Sequence, residues 1–398
     1  MVLDVIQLAD GISRVELAQH TGLTAQTVSG IVRRLIDEGV VREDGASRIA
    51  TGGKPRTILR VNADAGSAVG LHFDPVELTC VVVDLLGRAL VTTRRPLPQT
   101  AEPDEVIRAM AELVEAVLAV AGVSRQRVLG LGVATPGPID QDLGLVISPP
   151  QLAKWRRVAM KELLEAATGL AVTIDNDATA AAIGERWAGA GRGVANFAYF
   201  FLGTGIGGGL FLGHQVHRGG SLNAAEFGHI TIMADGPECY CGSRGCVERL
   251  INPKAIVADA RERLAGAGGG GSGPLAQRFR RDPATVDYEA VCDAAEAGDE
   301  VATAVVRTAA DRLAWAVVNV ANTVDVDLVI LGGNGIRSVG TAYRDAVAAA
   351  LATRPMARQI RVVDVVLSPL GADAAVVGAA SLVLHSTFSP QVTSLLAE

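Results

Sequence analysis

The 398-residue sequence lacks the features of exported or membrane-inserted chains. It contains no uninterrupted apolar run of about 18 residues, so we expect no membrane span. Its first residues, Met1 to Asp4, lack the basic segment that opens a secretory signal peptide. Cysteine is scarce, with five in all, which argues against a disulfide framework. We therefore expect a soluble cytoplasmic protein with reduced thiols and no membrane partner.

The sequence also lacks the excess of positive charge that a general polyanion binder carries, because its net charge is −7. Residues 1–62 hold 8 basic and 7 acidic side chains, whereas the remainder holds 28 and 36. Within residues 33–60 the balance is 7 basic against 4 acidic. This modest basic patch permits DNA binding at the start of the chain without establishing it.

Length and pattern indicate several domains of the α/β class. With 398 residues and 49% apolar composition, the chain can form two or three domains with large cores. Residues 1–39 read as helices, and residues 40–61 read as two strands around a glycine-rich tip. From about residue 66, strands and helices alternate up to a last helix at about 372–385. This alternation predicts an α/β fold with mixed sheets.

The first 62 residues have the spacing of a helix-turn-helix followed by a hairpin. Ser13 and Glu16 form a capping-box pattern that predicts a short helix. Thr24 is placed to cap a second helix, with Val28 and Val32 on its apolar face. The alternative is a small helical domain with a solvated charged face. The run from Leu17 to Ser29 resembles winged helices of the MarR-like kind that precede sugar-binding repressors, which favours DNA binding.

The outer face of the second helix is the predicted surface for double-stranded DNA. Small and polar side chains at its start can approach base edges, and the arginines further along can contact phosphates. The basic hairpin tip would act as a wing. The predicted DNA-binding residues are Thr24, Ala25, Gln26, Thr27, Ser29, Arg33 and Arg34 on the helix, with Lys54 and Arg56 on the wing.

Four potential metal ligands lie within 18 residues of one another. They are His229, Cys239, Cys241 and Cys246. A set of three cysteines and one histidine suits tetrahedral zinc, and four protein ligands indicate a structural site. The alternative is a group of buried free thiols.

The same region identifies a family. The motif A-E-F-G-H at 225–229, followed by C-x-C-G-x-x-G-C-x-E at 239–248, closely resembles the ROK family of repressors, open reading frames and sugar kinases. The segments D-N-D-A at 175–178, L-G-T-G-I-G-G-G at 202–209 and L-G-G-N at 331–334 resemble it too.

The resemblance, which extends from about residue 66 to the end, implies an actin/hexokinase-like fold of two lobes around a sugar cleft. We predict a winged helix-turn-helix domain at 1–62 and a first ROK lobe at 63–180. We predict a second lobe at 181–371, with the zinc loop and a dimer surface. The last helix, 372–398, is expected to pack back on the first lobe.

The resemblance also implies which residues bind the sugar. They are Gly137, Gln151, Asn176 and Asp177 on one side, and Glu226, His229 and Glu248 on the other. A helix N-cap is the alternative role for Asp177, and a solvated surface is the alternative for the two glutamates. Two positions depart from the family pattern. Gln151 replaces a usual asparagine, which puts the ligand's identity in doubt, and Ala225 replaces a usual glycine, a milder change.

A hairpin near residue 74 argues against kinase activity. Family kinases carry D-x-G-G-T there, whereas this chain carries H-F-D-P-V-E at 72–77. Pro75 has no N–H for a phosphate, and Asp74 and Glu77 add negative charge. One like-charge pair at about 4 Å costs roughly 4 kcal/mol at an effective dielectric near 20. We therefore expect no useful ATP binding, although Asp177 would be the catalytic base in a kinase.

These observations lead to three hypotheses. The first is a homodimeric repressor, or a dimer of dimers, that binds a palindromic operator under the control of a sugar or sugar-derivative effector. The second is an ATP-dependent sugar kinase with a fused DNA-binding domain. The third is a DNA-binding protein whose ROK domain only dimerises.

Overall fold

The computed structural model describes residues 2–47, 56–97, 102–149, 152, 154–266, 273–336 and 338–388. The chain forms two compact units. Unit 1 comprises Met1–Ala188 and Val376–Glu398, and unit 2 comprises Gly189–Ala375.

Unit 1 begins with three helices and an antiparallel hairpin. Ser13 and Glu16 form the reciprocal capping box that the sequence predicts, and Thr24 caps the third helix. Val28 and Val32 of that helix are fully buried, as expected of its apolar face. The elements are α1 (Val2–Ala9), α2 (Arg14–Thr21), α3 (Ala25–Asp37), β1 (Val41–Ser47) and β2 (Arg56–Val61).

A five-stranded mixed sheet follows in unit 1, with the strand order β5-β4-β3-β6-β9. Its central strands are buried on both faces, which explains their nearly continuous apolar sequences. The elements of this part are β3 (Ser67–Phe73), β4 (Glu77–Asp84), β5 (Ala89–Pro96), α4 (Pro103–Ala121), β6 (Val128–Thr135), β7 (Ile139–Asp140), β8 (Leu145–Val146), α5 (Met160–Thr168), β9 (Val172–Asn176) and α6 (Asp177–Ala188). The predicted lobe boundary at 180–181 falls inside α6.

Unit 2 contains a second five-stranded sheet with the strand order β12-β11-β10-β13-β14, and six helices, α7 to α12, follow β12 in the chain. Its elements are β10 (Phe197–Leu202), β11 (Ile206–Leu212), β12 (Gln215–Val216), α7 (Val247–Ile251), α8 (Pro253–Gly266), α9 (Pro274–Arg281), α10 (Tyr288–Glu296), α11 (Glu300–Val324), β13 (Leu328–Gly332), α12 (Gly340–Thr353) and β14 (Asp364–Leu367). The last helix, α13 (Ala374–Phe388), begins at the end of unit 2 and belongs from Val376 onward to unit 1. The predicted α/β class with mixed sheets is confirmed.

The two faces of the unit 1 sheet carry different partners. On one face, alternate residues of β3 such as Val69 and Leu71 share a core with α4 and α5. On the other face, Ala68 of β3 and Val81 of β4 belong to a cluster that includes α13 and the three N-terminal helices. The N-terminal module, formed by α1 to α3 with β1 and β2, therefore shares its core with the sheet.

Helix α13 lies against the strands of unit 1 at very short range. A Cβ added to Gly70 or to Gly132 would lie 2.2 Å from the Val376 carbonyl oxygen or 1.8 Å from that of Ala379, so only glycine admits this contact. Among the described residues, one stretch, Gly371–Phe388, is long and apolar enough to cross a membrane by length and composition alone. Because 61% of it is buried, it has the character of a core helix.

Candidate functional site

The exposed face of α3 is formed by the residues predicted to contact DNA. The seven of these nine residues that lie on α3 or at its N-cap are all exposed, whereas Val28, Val32 and Leu35 on the opposite face are buried. Thr24 also has a local role, because its hydroxyl accepts a hydrogen bond from the Thr27 amide at 3.2 Å. The helix thus offers a free surface of small, polar and basic side chains, as a recognition helix requires.

The hairpin places Arg56 beside the helices, and Lys54 lies outside the described residues. Arg56 Nη1 is 3.9 Å from Glu16 Oε1, and both side chains are well exposed. Such an exposed pair contributes little to stability and is screened by salt. It would therefore not prevent Arg56 from turning towards a phosphate.

In unit 1, three of the predicted sugar-binding residues lie at neighbouring strand ends. Strands β6 and β9 are parallel, and Thr135 pairs with Asn176 in register. A Cβ added to Gly137 would lie 3.1 Å from Asn176 Nδ2, so the two residues are adjacent. Asn176 Oδ1 accepts from the amides of Ala178 and Thr179. Its oxygen is thus engaged, and its amide nitrogen is oriented towards Gly137.

The predicted alternative role for Asp177, a helix N-cap, belongs to Asn176 in the structure. Asp177 is the first residue of α6, and its Oδ1 lies 2.7 Å from the Ala178 amide nitrogen. Gln151 lies outside the described residues. Sequence reasoning missed Gln141, whose side-chain amide donates to the buried Asp175 carboxylate at 2.5 Å. Nothing in the local sequence pairs Gln141 with a residue 34 positions away.

The β3–β4 hairpin is closed by its own carboxylate. Asp74 Oδ1 accepts hydrogen bonds from the Val76 amide at 2.7 Å and from the Glu77 amide at 2.9 Å. Pro75 between them has no N–H. The amides that a phosphate would need are therefore already bonded within the turn, and the carboxylates of Asp74 and Glu77 would also repel it.

In unit 2 the four predicted metal ligands converge. One donor atom from each of His229, Cys239, Cys241 and Cys246 lies within 4.8 Å of the others. Burial raises the pKa of the Cys246 thiol to about 12, whereas the Ser243 backbone amide lowers that of Cys241. A bound cation would stabilise the thiolate form of such a buried cysteine, so this donor set suits a metal ion.

His229 connects the cysteine cluster to the predicted sugar-binding residues of unit 2. Its Nδ1 lies 3.6 Å from Cys239 Sγ, and its Nε2 lies 3.2 Å from the Tyr240 hydroxyl. Nδ1 therefore faces the thiols, and Nε2 is the nitrogen that remains for a ligand. Sequence reasoning missed Tyr240, because its position inside the cysteine motif gives no sign that its hydroxyl contacts His229.

The two glutamates of unit 2 differ in their surroundings. Glu248 is buried, and its Oε2 accepts from the Ile206 amide at 2.9 Å. Desolvation raises the pKa of Glu226; the nearby His229 opposes this shift and the Glu248 carboxylate adds to it. The predicted alternative of a solvated surface does not describe Glu248, whereas Glu226 is exposed, as that alternative expects. Ala225 has φ +65°, so the substitution of its usual glycine carries a steric cost of roughly 1–2 kcal/mol.

Glycines of the loop at 203–209 allow close packing against Ala225, Phe227 and Glu248. A Cβ on Gly205 would lie 2.7 Å from Glu248 Oε2. A Cβ on Gly208 would lie 2.3 Å from the Phe227 ring and 2.4 Å from the Ala225 carbonyl oxygen. This packing alone requires glycine at 208, and a Cβ at 205 would displace the Glu248 carboxylate, whether or not a phosphate ever binds.

Comparison with family models matches two parts of the chain. The model of the ROK family matches residues 69–386. A model of winged helix-turn-helix DNA-binding domains matches residues 1–42.

Named relatives include both regulators and enzymes. The xylose repressor of Caldicellulosiruptor bescii is 26% identical over 95% of this chain and 93% of its own length. The glucokinase of Thermotoga maritima is 33% identical over 79% of this chain and 96% of its own. The repressor thus matches the chain almost from end to end.

Solved structures show the same division. A ROK family transcriptional regulator, described as a homologue of the E. coli MLC protein, aligns with a TM-score of 0.78 at 24% identity over 96% of this chain and 95% of its own. At that identity it shows a shared fold. A ROK family glucokinase from Streptomyces griseus, solved with glucose and AMPPNP, aligns with a TM-score of 0.64 at 30% identity over 80% of this chain and 99% of its own.

Proposed function

The chain belongs to the ROK family, and we propose that it is a sequence-specific DNA-binding transcription regulator, a repressor, whose ROK domain binds a controlling sugar. The observation that carries the proposal is the N-terminal module. Its exposed recognition face belongs to a domain whose core is continuous with the ROK sheet of unit 1. A likeness to xylose repressors over nearly the whole chain supports it.

Each unit carries polar groups suited to a sugar. They are Gly137, Asn176 and Asp177 in unit 1, and Glu226, His229 and Glu248 in unit 2. Carboxylates, an amide and an imidazole match the fixed hydroxyls of a sugar ring. His229, Cys239, Cys241 and Cys246 would hold a zinc ion, which would fix the tautomer and orientation of His229 and so have a structural role.

The regulator acts in the cytoplasm as a homodimer on a palindromic operator. Two-fold symmetry of the protein matches two half-sites on the DNA, one winged helix to each. The regulator transfers no phosphate, because the Val76 and Glu77 amides of the hairpin already donate to Asp74 and Pro75 has no N–H.

The sugar-binding half of the proposal can be tested by thermal shift and calorimetry. D-xylose, D-glucose and their phosphates are the first probes, chosen from the names of the relatives. A ligand that binds only the folded form raises its apparent stability. The variant Glu226→Gln should lose affinity, whereas Glu238→Gln, an exposed glutamate beside the cysteine cluster, should not. Absence of binding by every probe to zinc-loaded protein would leave the ROK domain as a dimerisation module.

The DNA-binding half can be tested on duplexes selected by the protein from a random pool. Arg33→Ala should weaken binding to all selected sequences and reduce the salt dependence by about one phosphate contact. Arg157→Ala, which removes an exposed arginine outside residues 1–62, is the matched control. Equal affinities of the two variants would remove α3 from the DNA interface.

A sugar kinase with a fused DNA-binding domain is the second candidate. Asp177 at the start of α6 is placed as a base for a sugar hydroxyl, and the Thermotoga maritima glucokinase matches four fifths of the chain. D-glucose-dependent production of ADP from ATP, abolished by Asp177→Asn, would establish this function. Absence of turnover with either probe sugar would exclude it for these substrates.

A further inference from the structure

Helix α6 extends from the sugar-binding residues of unit 1 to the winged helix. Asn176 immediately precedes it, Asp177 is its first residue, and Trp187 lies in its last turn. Twelve residues span roughly 18 Å along the axis of an α-helix. One rigid element therefore has the predicted ligand contacts at one end and Trp187 at the other.

Trp187 is held from three directions. Its backbone carbonyl accepts a buried hydrogen bond from Gln7 Nε2 of α1 at 3.1 Å. Its indole N–H donates to the Leu85 carbonyl at 3.2 Å. The β4–β5 turn lies so close to the ring that a Cβ on Gly87 would be 2.7 Å from it. The C-terminal end of α6 is therefore docked on both the sheet and the N-terminal module.

The body of α6 is packed as a stiff rod. Ala178, Ala181 and Ala182 are fully buried, and their short side chains allow close neighbours. A Cβ on Gly378 of α13 would lie 2.0 Å from the Ala180 carbonyl oxygen, so the two helix backbones are in contact. Because close-packed interiors transmit strain, we expect a shift of α6 to move α13 with it.

The winged helix rests on this pair of helices. Val2 and Ile6 of α1 belong to the same buried cluster as Trp187 of α6 and Val383 of α13. Val28 of the recognition helix α3 belongs to that cluster too. A displacement of α6 and α13 therefore has a continuous packed route to α3.

We propose that α6 transmits occupancy of the sugar site to the winged helix, and that the hydrogen bond from Gln7 to Trp187 is the contact that holds α1 docked. The inference rests on the proposed function, because it names how that sugar controls that DNA binding. A ligand that engages Asn176 and Asp177 acts on the first turn of α6. Undocking would exchange the buried hydrogen bond between Gln7 and Trp187 for contacts with water, so the docked and undocked arrangements are distinct states that a ligand can bias.

Hydrogen–deuterium exchange of the full zinc-loaded chain tests this directly. We expect D-xylose or D-glucose, whichever binds, to change the exchange of amides in α1 while those of α4 keep their rate. Helix α4 is the internal control, because it packs on the opposite face of the same sheet. A general gain in stability would slow both helices alike.

A matched pair of variants tests the contact itself. Gln7→Met keeps the length of the side chain and removes its donor, and Gln126→Met makes the same change at an exposed position of unit 1. We expect the ratio of DNA affinities with and without sugar to fall about fivefold in Gln7→Met, the equivalent of one hydrogen bond, and to stay unchanged in Gln126→Met. Sugar affinity, measured by calorimetry without DNA, should persist in both variants.

The outcomes separate this inference from the proposed function. If sugar binds and changes DNA affinity, yet α1 exchange is unaltered or Gln7→Met keeps the wild-type ratio, the α6 route is wrong and the regulator remains. If neither probe sugar binds the wild-type chain, the proposed function fails and the inference fails with it. If Gln7→Met does not fold, the exchange of α1 in the wild-type chain decides.

Discussion

The β3–β4 hairpin of unit 1 and the loop at 203–209 of unit 2 both align with glycine-containing segments of the family that the sequence resembles, and only the loop keeps its glycines. The hairpin has Asp74 and Pro75 where family kinases have glycines, and its amides bind Asp74. The loop at 203–209 keeps its glycines, and they pack against Glu248 and Phe227. Retained glycines are therefore no sign of a retained nucleotide site.

The difference follows from what each glycine contacts. In the hairpin of family kinases, glycine makes room for a bound phosphate. Its replacement therefore leaves the fold intact, because the Asp74 carboxylate accepts hydrogen bonds from the amides of the turn. In the loop, glycine is needed for packing within the protein, because a Cβ on Gly205 would displace the Glu248 carboxylate, which accepts a hydrogen bond from the Ile206 amide. Four experiments, from the largest expected effect to the smallest, can break or sharpen this comparison.

The largest effect should come from the predicted metal ligands His229, Cys239, Cys241 and Cys246. Cys246→Ser should abolish zinc binding, which contributes about 4 kcal/mol at a free zinc concentration 1,000 times the Kd. Metal analysis and chemical unfolding measure the two losses. Cys292→Ser, a buried cysteine in α10 of the same unit, should keep its zinc. Equal zinc content in both variants would show that the cluster is no metal site.

A single methyl group on the loop is expected to have the next largest effect. Gly208→Ala should lower the free energy of unfolding by about 1–3 kcal/mol, because the added Cβ overlaps the Phe227 ring and a backbone oxygen. Gly220→Ala is the matched control, since a Cβ there meets nothing within 4 Å. If urea midpoints show the two variants equally stable, the packing role of Gly208 is refuted.

On the hairpin side, stability should depend on pH through His72. Burial lowers the pKa of this imidazole below its ordinary 6.5, and Asp74 partly opposes the shift. The unfolded chain therefore binds more protons below pH 6.5, so stability is complete above that pH and declines below it, by up to about 1.4 kcal/mol per pH unit.

This pH dependence can be isolated by substitution. His72→Gln should flatten the slope of unfolding free energy between pH 6.5 and 5.5, and His20→Gln, at an exposed position, should leave it unchanged. A slope that survives in His72→Gln would place the titration elsewhere.

The smallest effect is expected at Asp74. Asp74→Ala should cost about 1 kcal/mol, because two amides of the turn lose their acceptor. Asp142→Ala, an exposed aspartate, is the control. Calorimetry should detect no Mg·ATP binding in Asp74→Ala, since Pro75 still lacks an N–H. Tight Mg·ATP binding by the wild-type chain would overturn the comparison itself.

Much of the fold was predictable because its signals are local. The capping box at Ser13, the apolar face of α3 and the cysteine motif each lie within a few consecutive turns, so spacing alone indicates them. Long-range contacts left no such signal. Gln141 with Asp175, and Gln7 with Trp187, are pairs of ordinary residues separated by 34 and 180 positions.

The sequence by itself determined the family, the donor atoms of the candidate metal ligands and the absence of glycine at residues 74–77, because each depends on which atoms the side chains carry. Only the tertiary structure decided what those atoms face. It placed the Asp74 carboxylate on the hairpin's own amides and gave the cap of α6 to Asn176. It also joined the winged helix to the sheet through one core, because packing brings together surfaces whose residues are distant in the chain.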